Sequence, residues 1–84
     1  MLIFDRLLKI LANFDLIEID ISRVTTETTL MGDLGLSSVE FVMLACAIDE
    51  EFGIDIEFDD MPTIVTFGDA CRYVEGLLIK MSKR

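Results

Sequence analysis

Residues 33–53 read DLGLSSVEFVMLACAIDEEFG, and this stretch decides the architecture. Ser37 and Glu40 stand in the Ser-x-x-Glu relation of a capping box, in which the serine hydroxyl accepts from the Glu40 amide while the Glu40 carboxylate reaches back to the serine amide. Gly53 is a natural left-handed stop. A helix is therefore expected from Ser38 to Phe52. At 100° per residue, Leu44, Ala45, Ile48 and Phe52 fall within about 60° of Phe41, a sufficient core stripe. The opposite side carries Val39, Val42, Met43 and Cys46, with Glu50 among them and Asp49 beside them. In a minimal bundle that side should be wet, so an apolar patch edged with acids reads as a docking site for a basic, hydrophobic partner groove. The competing reading is that the connector or a short third helix covers part of it, Val42 and Cys46 above all.

The two serines divide by position. With Ser37 capping, Ser38 becomes the first helical residue, and its hydroxyl is not needed by the backbone. It points outward beside free helix amides, where the positive end of the dipole favours a phosphate. Gly32 and Gly35 keep the approach narrow. Many helices begin with Ser-Ser for capping alone, so this pattern by itself leaves both readings open.

Outward from this centre, Ile3, Leu7, Ile10, Leu11 and Phe14 recur at helical spacing and predict a first helix over residues 2–14. Asp5, Arg6 and Lys9 interrupt its apolar run, so it reads as an amphipathic helix and not as a signal peptide. LIEIDI at 16–21 and IDIEF at 54–58 alternate with period two, but two short runs make a marginal sheet. They are expected as extended segments whose isoleucines plug the helix layer, with a small α+β fold as the alternative. Thr25, Thr26, Thr28 and Thr29 disfavour helix in the connector, while Leu30, Leu34 and Leu36 pin it to the core. A short helical turn is expected at Asp59–Met61, ended by Pro62. Thr66-Phe67-Gly68-Asp69 repeats a capping pattern and opens a last helix to about Lys80, with Phe67, Ala70, Val74, Leu77 and Leu78 inward.

The totals bound what these elements can do. A chain of 84 residues, 52% hydrophobic and 27% charged, allows one soluble domain over residues 1–84. Between Val24 and Cys71 lie eleven Asp or Glu and no Lys or Arg, whereas the ends carry five acids and seven bases, within a net charge of −9. Such a field repels nucleic acid and draws in basic proteins. Histidine is absent, so no Ser-His or Cys-His pair can form and the commonest zinc ligand is missing; no catalytic residue and no metal site is assigned. DEEFGIDIEFDD has the length of a calcium loop but places Ile54 where that loop needs its glycine. Cys46 and Cys71 read as buried or idle thiols of a reducing cytoplasm, with no disulfide framework.

DLGLSSVEFV, the following AIDEEFGIDI, the acids Asp59 and Asp60, and the later TIVTFGDACRYV together resemble the acyl carrier protein family, including its peptidyl carriers. The likeness covers almost the whole chain and is most specific at Asp33-Leu34-Gly35-x-x-Ser38. It implies an all-α fold, a small four-helix bundle with a long first connection and a short third helix. It also implies a serine, here Ser38, carrying 4′-phosphopantetheine through a phosphodiester, with acyl or aminoacyl groups riding on the thiol of that arm as thioesters. The protein would then be a non-catalytic carrier. A tethered substrate visits several active sites at high effective concentration, so a handle and a recognition surface suffice.

The implied partners are a phosphopantetheinyl transferase, an acyl- or aminoacyl-loading ligase, and a downstream synthase or transferase with a basic docking surface. They would meet a discrete cytoplasmic monomer through Val39, Glu40, Val42, Met43, Cys46, Asp49 and Glu50. Two alternatives stand beside this, a peptidyl carrier for an adenylating enzyme and an unmodified acidic interaction module. The family usually has Asp before its serine and Leu after it, where this chain has Ser37 and Val39. Met43 stands where fatty-acid-synthesis carriers commonly show an acid, which favours a dedicated pathway. Gly35-Leu36 does not reproduce the Gly-Gly typical of peptidyl carriers.

Overall fold

The computed structural model describes residues 3–13 and 20–82. The chain opens with α1 (Ile3–Ala12), whose Leu7 and Leu11 are buried. Ile3, Phe4, Leu8 and Ile10 pack around them, so the expected stripe faces the core; Phe14 lies outside the described residues. Of LIEIDI, residues 16–19 also lie outside. Asp20 and Ile21 are described and differ from expectation: Ile21 begins a 3-10 turn (Ile21–Arg23) and is exposed, not a plug in the helix layer. The cause is local. The Asp20 carboxylate accepts from the Ser22 amide at 3.2 Å and the Ser22 hydroxyl at 2.6 Å, curling the chain before the isoleucine can reach inward.

Helix α2 (Ser38–Phe52) has the expected bounds, with Leu44, Ala45 and Ile48 buried and Phe41 and Phe52 packed against them. Gly53 closes it at φ 65°, the left-handed conformation that glycine adopts without strain. A 3-10 helix (Phe58–Thr63) follows, longer than the expected turn and continuing through Pro62. Proline's fixed φ suits 3-10 geometry, so Pro62 removes a donor without breaking the turn. Met61, on its inner side, is buried. Helix α3 (Phe67–Ser82) runs slightly past Lys80 and buries Phe67, Gly68, Ala70 and Val74. Leu78 packs on the core, whereas Leu77 is only half-buried.

The all-α four-helix arrangement is thus present as α1, α2, the short 3-10 helix and α3. Among the described residues no strand forms; a single antiparallel bridge joins Thr29 to Thr66. That bridge ties the long connector to the start of α3. The Leu30 amide donates to Val65 at 2.9 Å, the Phe67 amide to Thr28 at 2.8 Å, and the Gly68 amide to Thr26 at 2.9 Å. A Cβ on Gly68 would meet the Thr26 carbonyl oxygen at 2.7 Å, so only glycine permits this approach. Leu30 and Leu36 are buried and Leu34 is half-buried, pinning the connector as expected.

Candidate functional site

The start of α2 is built by the loop before it. The Asp33 carboxylate accepts from the Thr29 amide at 2.9 Å, and the Asp33 amide donates to the Thr29 hydroxyl at 2.7 Å. Gly35 turns the chain at φ 72°, and buried Leu36 anchors the last residue before the cap. Ser37 then closes the box: its hydroxyl accepts from the Glu40 amide at 3.2 Å, and its own amide donates to the Glu40 carboxylate at 2.8 Å. The Phe41 amide makes the first helical bond, to the Ser37 carbonyl at 2.9 Å.

What remains unused there is chemically useful. Among the described residues, neither the Ser38 hydroxyl nor the backbone amides of Ser38 and Val39 have a hydrogen-bond partner, and Ser38 is exposed. Helix α3 offers the contrast. Its Phe67 and Gly68 amides are taken by connector carbonyls, and its Asp69 amide donates to the Thr66 hydroxyl at 3.0 Å. The Thr66 and Val65 amides also hold the Asp69 carboxyl below its ordinary range. Of the two capped helix starts, only that of α2 keeps open amides beside a free hydroxyl. These donors, at the positive end of a 15-residue helix, suit a phosphate ester on the serine.

The candidate docking residues do not behave alike. Val39 is 68% exposed and Met43 44%, Cys46 is exposed, and Val42 is half-buried. Of the thiols expected to be buried or idle, Cys46 is therefore not a buried one. Cys71 is half-buried, and burial pushes its thiol up to about 11. Glu50 is exposed. Asp49, by contrast, turns back and accepts from the Ile56 amide at 3.0 Å; desolvation pushes its carboxyl above the ordinary range. Glu40 is committed to the cap.

Two comparisons bear on this arrangement. The family described as "Phosphopantetheine attachment site" matches residues 5–74. The chain is also 42% identical over 69 residues to a protein of Schizosaccharomyces pombe named as a mitochondrial acyl carrier protein, a match that covers 82% of this chain. The chain belongs to the acyl carrier protein family. That family is defined by 4′-phosphopantetheine carried covalently on a serine, and an exposed, unbonded serine hydroxyl at an open helix start fits the group. This carrier-family chain spans 61% of the length of the yeast relative. No helix among its described residues is long and apolar enough to cross a membrane.

Sequence reasoning missed the contacts that tie α1 to α2 and the 3-10 helix to α3. Arg6 of α1 lies over the Phe52 ring, 4.2 Å from its centroid, and pairs with Glu51 at 2.9 Å. The Tyr73 hydroxyl donates to Asp60 at 2.7 Å and accepts from the Glu57 amide at 3.2 Å, lacing the 3-10 helix to α3. The apolar interior lined by Leu7, Leu30, Leu44, Ile64, Phe67 and Val74 leaves about 20 Å³ free, room for roughly one water.

Proposed function

We propose that this chain works as an acyl carrier in a dedicated biosynthetic pathway, with Ser38 as its attachment residue and the outward face of α2 as its recognition surface. One observation carries the assignment: the Ser38 hydroxyl is exposed and unbonded at the first position of α2, while the Ser37 hydroxyl beside it is occupied by the cap. On modification the Ser38 oxygen attacks the pantetheine-side phosphorus of coenzyme A and gives up its proton; the pyrophosphate P–O bond breaks, adenosine 3′,5′-bisphosphate leaves, and the Ser38 oxygen becomes the ester oxygen of a phosphodiester. The open Ser38 and Val39 amides and the helix dipole then stabilise the negative charge. The arm supplies a thiol on which acyl or aminoacyl groups travel as thioesters. The chain's own residues contribute position and recognition, consistent with a sequence that holds no histidine for acid–base work. A reducing cytoplasm suits two free thiols and such cargo.

Incubation with a broad-specificity phosphopantetheinyl transferase and coenzyme A should add one phosphopantetheine to the intact mass. Ser38→Ala should abolish the addition and Ser37→Ala should retain it. An unshifted mass across several transferases, or the reverse behaviour of the two variants, would defeat the assignment. An unmodified acidic interaction module is the second reading, favoured by the acids concentrated between Val24 and Cys71. It requires the Ser38→Ala chain to bind the same basic partner as wild type in a salt-sensitive manner.

A further inference from the structure

Among the described residues the Ser38 hydroxyl has no hydrogen bond, so its place is set by the backbone that leads to it. That backbone is closed by two connector residues. The Leu30 carbonyl accepts from the Leu36 amide at 3.2 Å, while the Leu30 amide is held by Val65 at the foot of α3. Thr29 grips the loop with its amide, which donates to the Asp33 carboxylate at 2.9 Å, and with its hydroxyl, which accepts from the Asp33 amide at 2.7 Å. Its carbonyl accepts from the Leu34 amide at 3.1 Å. Gly32 belongs to the same closure, since an added Cβ would stand 2.7 Å from the Thr29 hydroxyl oxygen. Thr29 also faces Thr66 across the antiparallel bridge, which refers the loop to the start of α3. In the sequence Thr29 only disfavours helix. Folded, its side chain bonds the turn from which Ser38 emerges.

Resting on Ser38 as the attachment residue, we propose that Thr29 is a positioning residue for transfer of the arm: it fixes the turn formed by residues 33–36, and with it the point from which the Ser38 oxygen attacks. Thr29 touches none of the reacting atoms and acts through Asp33, Leu34 and the cap that follows. Displacing an attacking atom by about 1 Å costs on the order of a hundredfold in rate, even when the surface that binds the enzyme is intact. Loss of the Thr29 hydroxyl therefore acts on kcat and spares KM.

The test is transfer from coenzyme A to the full chain by a broad-specificity transferase, read by intact mass at a temperature where circular dichroism shows each variant folded. Thr29→Val keeps the branched shape without the accepting oxygen, and should lower kcat roughly tenfold with KM within about twofold of wild type. Thr29→Ser restores that oxygen and should bring kcat back to within about twofold. Gly32→Ala should repeat the kcat loss, and carries the test if Thr29→Val does not fold. In a Thr29→Ala background Gly32→Ala should add no further loss, because the oxygen it presses on is gone. Tyr73→Phe gives up its bonds to Asp60 and Glu57, so it should lower the melting temperature while leaving kcat unchanged. Amide exchange of the unmodified chain supplies a readout without the enzyme: the Leu34, Leu36 and Phe41 amides should lose protection in Thr29→Val and regain it in Thr29→Ser. Wild-type kcat in both Thr29→Val and Gly32→Ala, a loss confined to KM, unchanged exchange, or an equal kcat loss in Tyr73→Phe overturns the proposal. A wild-type chain that gains no mass overturns the Ser38 assignment itself, whereas variants that keep pace with a modified wild type overturn only the role of Thr29.

Discussion

Ser37 and Ser38 are chemically identical neighbours, and the bonds around them separate their duties. Ser37→Ala removes an accepted bond from the Glu40 amide and should cost about 1 kcal/mol in urea unfolding, whereas Ser38→Ala should leave stability within about 0.5 kcal/mol of wild type. Equal losses would mean that Ser38 also caps. Asp49 permits a similar separation. Asn keeps the oxygen that accepts from Ile56, while Ala orphans that amide at about 1–3 kcal/mol. Burial raises the Asp49 pKa above 3.8, so the folded state takes up a proton before the unfolded chain does, and ionised Asp49 opposes folding at neutral pH. Asp49→Asn should therefore match or exceed wild-type stability at neutral pH. Its advantage should shrink as pH falls from the raised value toward 3.8; an advantage that grows on acidification would contradict the shift. Cysteine chemistry follows burial as well. With chain whose intact mass shows no phosphopantetheine, maleimide followed by peptide mapping should label exposed Cys46 well before Cys71, whose thiol burial pushes up to about 11.

At the scale of elements, the legible features were those encoded within a few residues. The caps of α2 and α3 each join residues three apart, and the stop at Gly53 is a single residue, so both starts and one end could be read directly. The same locality exposed Ser38, because the cap determines which hydroxyl is left over. Contacts that were not legible join distant positions: Arg6 to Glu51 across 45 residues, Glu57 to Tyr73 across 16, and Asp60 to Tyr73 across 13. No helical or strand period carries such pairings. Asp49 shows the consequence, since its helical angle places it beside the outward apolar face and only the folded loop reveals that it also accepts from the Ile56 amide. The two glycines of α3 make the same point by their opposite expected signs. Gly76 has nothing within 4 Å of an added Cβ, so Gly76→Ala should stabilise the helix by about 1 kcal/mol. Gly68→Ala would press on the Thr26 backbone and break the bond between connector and helix, costing about 1–3 kcal/mol. Thermal melts of the pair settle this, and two shifts of the same sign would refute the close approach at Gly68.

At the scale of the whole chain, the acidity proposed to steer basic partners must also oppose compaction. A net charge of −9 on 84 residues places like charges closer in the folded protein than in the unfolded chain, and the run from Val24 to Cys71 has no base of its own to offset them. Attraction comes instead from the basic ends. Arg6 reaches Glu51 and Arg72 reaches Asp69, but both pairs are partly exposed and such pairs contribute at most about 1 kcal/mol each. Repulsion spread over eleven acids should outweigh two surface pairs. Screening then has a definite sign: raising NaCl from about 0.05 M to about 0.5 M should raise the melting temperature, because the longer-range repulsions are screened more completely than the contact pairs. Lys substitutions at Glu27 and Asp55, exposed acids outside α2, should raise the melting temperature at low salt and flatten its salt dependence. A melting temperature that falls with salt would show that the Arg6 and Arg72 pairs dominate. In that case the acidic middle would be an energetically neutral surface, whose effect is confined to the rate at which basic partners arrive.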